Sequence, residues 1–159
     1  MTFKLDAYCG LYCGACFIMI AYRQNRTDCI PDEWVSEIHE KGIKCHGCKS
    51  EILFENCRGC DIRNCAQSKS IDFCSECSEY PCKKIKRIEK YNLAHHNVTV
   101  YSFETIKEIG VKKWLQQQKE RWLCSNCNSP YSWYEENCIK CGNELFNSIK
   151  EEEKLKNIS

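Results

Sequence analysis

Six Cys-x-x-Cys pairs constrain this chain more than any other feature. They are Cys13/Cys16, Cys45/Cys48, Cys57/Cys60, Cys74/Cys77, Cys124/Cys127 and Cys138/Cys141, and they use twelve of the sixteen cysteines. The other four are Cys9, Cys29, Cys65 and Cys82. A Cys-x-x-Cys turn aims two sulfurs at one point. That arrangement suits a thiophilic metal, bound at about 2.3 Å from each thiolate, far better than a long-range disulfide scaffold. Sixteen thiolates suffice for four closed tetrahedral sites, which predicts about four Zn2+ per chain.

The compartment follows from the same reasoning. Met1 to Gly10 has no basic region, apolar stretch or small-residue cleavage site of a secretory leader. The run Phe17 to Tyr22 is too short to span a bilayer. A cytoplasmic protein with reduced thiols and no membrane partner is the expectation. A chain of 159 residues holds one modest domain or two very small ones, and such modules depend on a staple because they bury little apolar surface.

The expected fold is a small metal-stapled α+β or irregular protein. Residues 1–82 form a Cys-rich module of zinc knuckles, 83–121 a basic helical connector, 122–146 a zinc ribbon and 147–159 a polar tail, a frayed helix or disordered. Pro31, the acids after it and the apolar face Trp34, Val35 and Ile38 predict a helix over Asp32 to Glu40. Residues 43–82 leave little room for regular structure. Residues 83–93 read as a basic helix, Val98 to Phe103 as a short extended segment, and Phe103 to Trp122 as mostly helical, with Gly110 either a stop or a tolerated interruption.

Charge is uneven along the chain. Residues 1–82 carry nine basic against twelve acidic side chains, and residues 83–121 carry ten against four. Each all-cysteine zinc site adds a formal charge of about −2. The basic stretch is expected to complement its acidic neighbour; a nucleic-acid patch is the sharper alternative.

The cysteine groups differ in character. Cys124-x2-Cys127-x10-Cys138-x2-Cys141 describes a short zinc ribbon, with Gly142 placed for a left-handed turn. Four ligands leave no open position, so this site is structural. The eight thiols from Cys45 to Cys82 make two sites, sequential or cross-braced. Gly47 and Gly59, third in their turns, let the backbone fold tightly. His46 is a spare ligand or an exposed side chain. Cys57-x2-Cys60-x4-Cys65 recurs as Cys74-x2-Cys77-x4-Cys82. Cys9-x3-Cys13-x2-Cys16 has the spacing by which three thiolates hold an iron–sulfur cluster with one open iron. Cys29, Asp6, Asp28 or His39 could close that site. His95 and His96 read as a solvated pair. Trp114, Trp122, Trp133, Tyr131 and Tyr134 build a small core around the ribbon or stack on bases.

The runs Tyr8-Cys-Gly-Leu-Tyr-Cys-Gly-Ala-Cys16, Cys45-His-Gly-Cys48, Cys57-Arg-Gly-Cys-Asp-Ile-Arg-Asn-Cys-Ala66 and Cys74-Ser-Glu-Cys-Ser-Glu-Tyr-Pro-Cys82 resemble the cysteine-rich prokaryotic family called domain of unknown function 3795. The segment Ile106 to Leu115, leading through Arg121-Trp122 into a ribbon, is similar to its longer members. The resemblance implies zinc binding and no assigned activity. It also implies a family that usually has no cysteine at the position of Cys29. Together with the closed sites it predicts a binding or adaptor module rather than an enzyme, meeting another protein through the connector and the ribbon's aromatic face. The alternatives are a redox or iron–sulfur protein centred on Cys9, Cys13 and Cys16, and a nucleic-acid-binding zinc protein.

Overall fold

The computed structural model describes residues 2–158. Short helices joined by tight turns make up most of the chain: α1 (Phe17–Gln24), α2 (Asp32–Lys41), α3 (Glu55–Arg58), α4 (Asp61–Ser68), α5 (Lys83–Ile88), α6 (Ala94–Asn97), α7 (Thr99–Ile109), α8 (Val111–Arg121) and α9 (Ser148–Ile158). Backbone pairing among the described residues is limited to the isolated antiparallel bridges Asp6–Tyr12, Leu123–Pro130 and Asn137–Glu144. The helical side of the expected α+β composition is therefore the dominant one. No helix is long and apolar enough to cross a membrane.

The apolar run after Cys16 becomes α1. Phe17, Ile18, Met19, Ile20 and Ala21 are all buried, as a helix enclosed on every side requires. It ends where Asn25 turns left-handed at φ 50°. Helix α2 begins directly after Pro31, carries Asp32 and Glu33 in its first turn, and stops at Gly42. Gly110, at φ 80°, separates α7 from α8, so the glycine is a stop followed by a second helix. The basic helix expected over 83–93 is α5, continued by a 3-10 turn over Glu89–Tyr91.

Two expectations are corrected. Val98 to Phe103 is not extended: α7 begins at Thr99, because Thr99 and Phe103 are both buried, four residues apart on one helical face. Residues 43–82 hold more regular structure than expected, in α3 and α4. Of the two alternatives for the tail, a frayed helix or disorder, the structure has the helix, α9. The Asn147 side chain accepts a hydrogen bond from the Lys150 N–H at 3.2 Å and caps it. The Ser148 N–H donates to Trp133 O at 2.8 Å, and α9 packs against α6, where Asn97 donates to Glu152.

Two apolar clusters form the interior. The larger takes Tyr12, Ala15, Phe17, Ile20 and Ile38 from the N-terminal segment, Trp114 and Trp122 from around α8, and Tyr131, Trp133 and Leu145 from the last segment. The smaller gathers Ile62, Phe73, Ile85, Ile88 and Phe103. Trp114 meets Tyr12 edge to face at 6.3 Å, and Phe17 meets Trp133 likewise.

The histidine pair lies inside this packing. His95 stacks on Trp133 with ring centroids 3.9 Å apart, shares a hydrogen bond with Tyr134 Oη, and is buried. Burial pushes His95 down to about 2 and His96 down to about 4. Both are therefore neutral in the folded protein at pH 7. The unfolded chain takes up these protons first, near pH 6.5. The stability they contribute is complete above pH 6.5 and is lost as pH falls, over the range to about 4 for His96 and further for His95. Each should add up to about tenfold to the unfolding constant per pH unit in that window. Denaturant unfolding at pH 6.5 and 5.5 should show a shallower pH slope in the His95→Gln/His96→Gln variant than in the wild type. Equal slopes would contradict neutral burial.

Candidate metal centres

All sixteen cysteines are free thiols. The last four come together in the form their spacing predicts. Cys124, Cys127, Cys138 and Cys141 place their sulfurs within 4.8 Å of one another. Cys124 and Cys141 are 3.6 Å apart, and Cys127 and Cys138 are 3.5 Å apart. A tetrahedron with metal–sulfur bonds of about 2.3 Å has edges of about 3.8 Å. The group fits one thiolate-bound ion.

Two matching turns build it. The Asn128 N–H donates to Cys124 O at 2.8 Å, and the Gly142 N–H donates to Cys138 O at 2.7 Å. Each turn closes through a left-handed residue directly after its second cysteine, Asn128 at φ 57° and Gly142 at φ 73°. The sequence reading singled out Gly142 alone; asparagine's tolerance of left-handed backbone was the signal for Asn128. The Ser129 hydroxyl and N–H, aimed at Cys127, pull its thiol down to about 6. Asn126 and the Asn143 N–H likewise lower Cys141. Burial pushes Cys138 the other way, up to about 11, so Cys127 and Cys141 are the thiols that these donors favour as thiolates.

The N-terminal thiols are positioned differently. A 3-10 turn spans Cys13–Ala15, and Cys16 directly precedes α1. The Lys4 N–H donates to His46 O at 2.8 Å, crossing the Cys45–Cys48 turn. A Cβ on Gly47, at φ 107°, would lie 1.7 Å from Lys4 O, so only glycine fits there. Gly59 has ordinary φ of −82° and open space around it, so the expected need for glycine holds at Gly47 and not at Gly59. The Tyr8 N–H is directed at the Cys48 thiol, and the Cys48 N–H at the Cys13 thiol. These contacts lock the first motif onto the second. Burial, reinforced by the thiolate of Cys48, pushes Cys9 and Cys13 far up. Burial also raises Cys16 to about 12, Cys48 to about 11 and Cys29 to about 11. Cys57 is raised by burial and then by Cys16 and Cys45. Cys74 is raised to about 12 by burial and then by Cys82, Cys65 and Cys77.

The other candidate ligands are occupied or distant. Asp6 pairs with Lys49 at 2.5 Å and Asp28 with Arg26 at 3.2 Å, while His39 is exposed. Cys29 is buried, with its Sγ 3.6 Å from Phe17 O. His46 is not exposed as expected: it is 4% exposed, between the Phe3 and Tyr22 rings. Trp114, Trp122, Tyr131 and Trp133 are buried, so the ribbon's aromatic face belongs to the core and is closed to base stacking. From the basic stretch, the ion pairs among the described side chains are Arg87–Asp61 and Arg121–Glu151; only the first reaches residues 1–82.

Removing one ribbon ligand should release the ion and open the core beside Trp133. Structural zinc sites contribute on the order of 10 kcal/mol to folding. Cys138→Ser is expected to lose about one metal ion per chain, with a lower melting temperature and a red-shifted tryptophan emission. Unchanged emission would show that the ribbon folds without its ion.

The family described as Protein of unknown function (DUF3795) matches residues 5–87. No curated protein and no solved structure matches the chain. The family match covers more than half of the 159 residues and takes in every cysteine before the ribbon, so this cysteine-rich chain belongs to the DUF3795 family.

Proposed function

We propose that the protein is a zinc-binding adaptor module whose all-cysteine sites are structural. The observation that carries this reading is the ribbon geometry. Four thiol sulfurs, with pairs 3.5 and 3.6 Å apart, fill every corner of a zinc tetrahedron and leave no position for substrate. A closed site stabilises a fold and does not activate water. The partner in this reading is another protein. With the aromatic side chains in the core, the surface offered to it passes to exposed apolar groups on the ribbon and α9, Ile139, Phe146 and Ile149.

An iron–sulfur or redox centre at Cys9, Cys13 and Cys16 is the competing reading. It is weakened as an open three-thiolate site by the thiols of Cys48 and Cys45, which stand beside Cys13 and Cys16. Nucleic-acid binding retains the exposed lysines of the connector, including Lys86, Lys90, Lys112 and Lys113, but not aromatic stacking.

Two measurements test the proposal. Anaerobically purified protein should contain about four zinc per chain and be colourless. Cobalt-substituted protein should show a tetrahedral thiolate spectrum that cyanide leaves unchanged, because no coordination position is free. A brown chain with iron and acid-labile sulfide would replace the zinc reading with the cluster reading. A cyanide-induced spectral shift would mark an open coordination position and overturn the closed-site reading.

A further inference from the structure

Beside the smaller apolar cluster the protein keeps a hollow of about 1020 Å3. Its floor is Phe73, Ile85 and Phe103, all buried. Phe103 meets Phe73 edge to face at 6.4 Å and Tyr80 likewise at 5.3 Å, so three aromatic rings hold one another in place. Val100 and Ile106 from α7 and Val111 at the start of α8 form a wall. Gly110, at φ 80°, ends α7 between Ile106 and Val111, and both still reach the hollow. The three wall residues are half-buried. Apolar surface gathered and left open in this way marks a place where something binds.

The rim is charged. Lys86 and Lys90 stand four residues apart along α5 and the 3-10 turn that continues it, and Lys107 belongs to α7. All three are exposed. The ion pairs of lysines among the described side chains use Lys41, Lys49, Lys69, Lys150 and Lys156, and none of the rim lysines takes part. Two acids share the rim, Glu76 and Glu104. Glu76 is turned to its own segment, where its carboxylate accepts from the Asp72 N–H at 3.1 Å. Three lysines against two glutamates leave the rim with one positive charge in excess.

We propose that this hollow binds a small amphiphilic monoanion, a hydrocarbon chain or ring that carries one carboxylate. The hydrocarbon lies over Phe73, Ile85 and Phe103, and the carboxylate meets Lys86 and Lys90 at the rim.

Size and charge select this class. Sites for small molecules measure about 300–1,000 Å3 and are mostly apolar, with a few polar groups that fix orientation. A protein partner would spread over about 20–30 residues a side, whereas fourteen described residues enclose the hollow. A single excess charge on the rim matches a carboxylate. A phosphate ester, at about −1.5 to −2, would be left partly unneutralised. No cysteine is among the lining residues, although Ser75 and Glu76 lie inside the Cys74–Cys77 turn. The site therefore needs the metal-loaded chain but no particular metal.

Calorimetric titration of the full, metal-loaded chain with dodecanoate, kept below its micelle concentration, tests this. Saturable binding of one dodecanoate per chain is expected. Dodecyltrimethylammonium, a chain of the same length with the opposite charge, should bind at least about tenfold more weakly. Lys86→Gln/Lys90→Gln should weaken dodecanoate binding about three- to tenfold. Val100→Trp fills the hollow and should abolish binding, with a melting temperature close to that of the wild type. Should that variant fail to fold, amide and methyl shifts of Val100, Ile106 and Val111 in the wild type locate the bound chain directly. Binding without saturation, equal binding of the two amphiphiles, unchanged affinity in both variants or shifts confined to other residues would each overturn the proposal. So would a dimer in solution that Val100→Trp dissociates, because a second copy would then fill the hollow.

Discussion

Thiols packed together out of water oppose one another's ionisation. Burial raises each one, and every neighbour that loses its proton raises the rest, as it does around Cys9, Cys13, Cys57 and Cys74. A chain that buries this many sulfurs in a small volume has two stable outcomes. The thiols stay protonated as weakly packing polar groups, or cations join them and the protons leave. Under the proposed reading the second outcome supplies stability that the apolar core lacks. That core is divided into two clusters, each interrupted by turns that bear cysteine.

The ribbon answers the same problem locally. Serine, asparagine and backbone N–H groups of the ribbon's own turns face Cys127 and Cys141 and lower them, while burial raises Cys138. The N-terminal thiols have fewer such donors and more burial. Some of their N–H partners come from other segments, Tyr8 for Cys48 and Cys48 for Cys13, and others are local, Leu11 for Cys9 and Met19 for Cys16. The ribbon can form from residues close in sequence, whereas the N-terminal thiols are spread from Cys9 to Cys82.

This difference explains what could be read from the sequence. Cys124 to Cys141 was legible because the whole site lies within eighteen residues and the turn chemistry repeats. Helix α2 was legible through Pro31, its acids and Gly42. The partition of the other thiols was not, because regular spacing within each pair says nothing about which pairs cross in space. Val98 to Phe103 misled because alternation over six residues is matched equally by burial of Thr99 and Phe103 on a helix. His46, His95 and His96 were read as polar surface; aromatic rings at Phe3, Tyr22 and Trp133, distant in sequence, cover the first two, and burial also holds His96 neutral.

The family match ends at residue 87, but the packing does not. Trp114 and Trp133 lie beyond it and share the larger core with Tyr12 and Phe17. The Trp133 N–H donates to Ala15 O at 3.0 Å, between Cys13 and Cys16 in sequence. Arg26 pairs with Glu135, and the Ser132 hydroxyl lies 3.5 Å from Cys29 O. The ribbon therefore presses on the segments that position Cys16 and Cys29. Order in the ribbon reaches Ala15, inside the first Cys-x-x-Cys turn, through the Trp133 N–H. Under the proposed zinc reading, binding in the ribbon lowers the cost of ordering the first motif, which is positive coupling through a shared core.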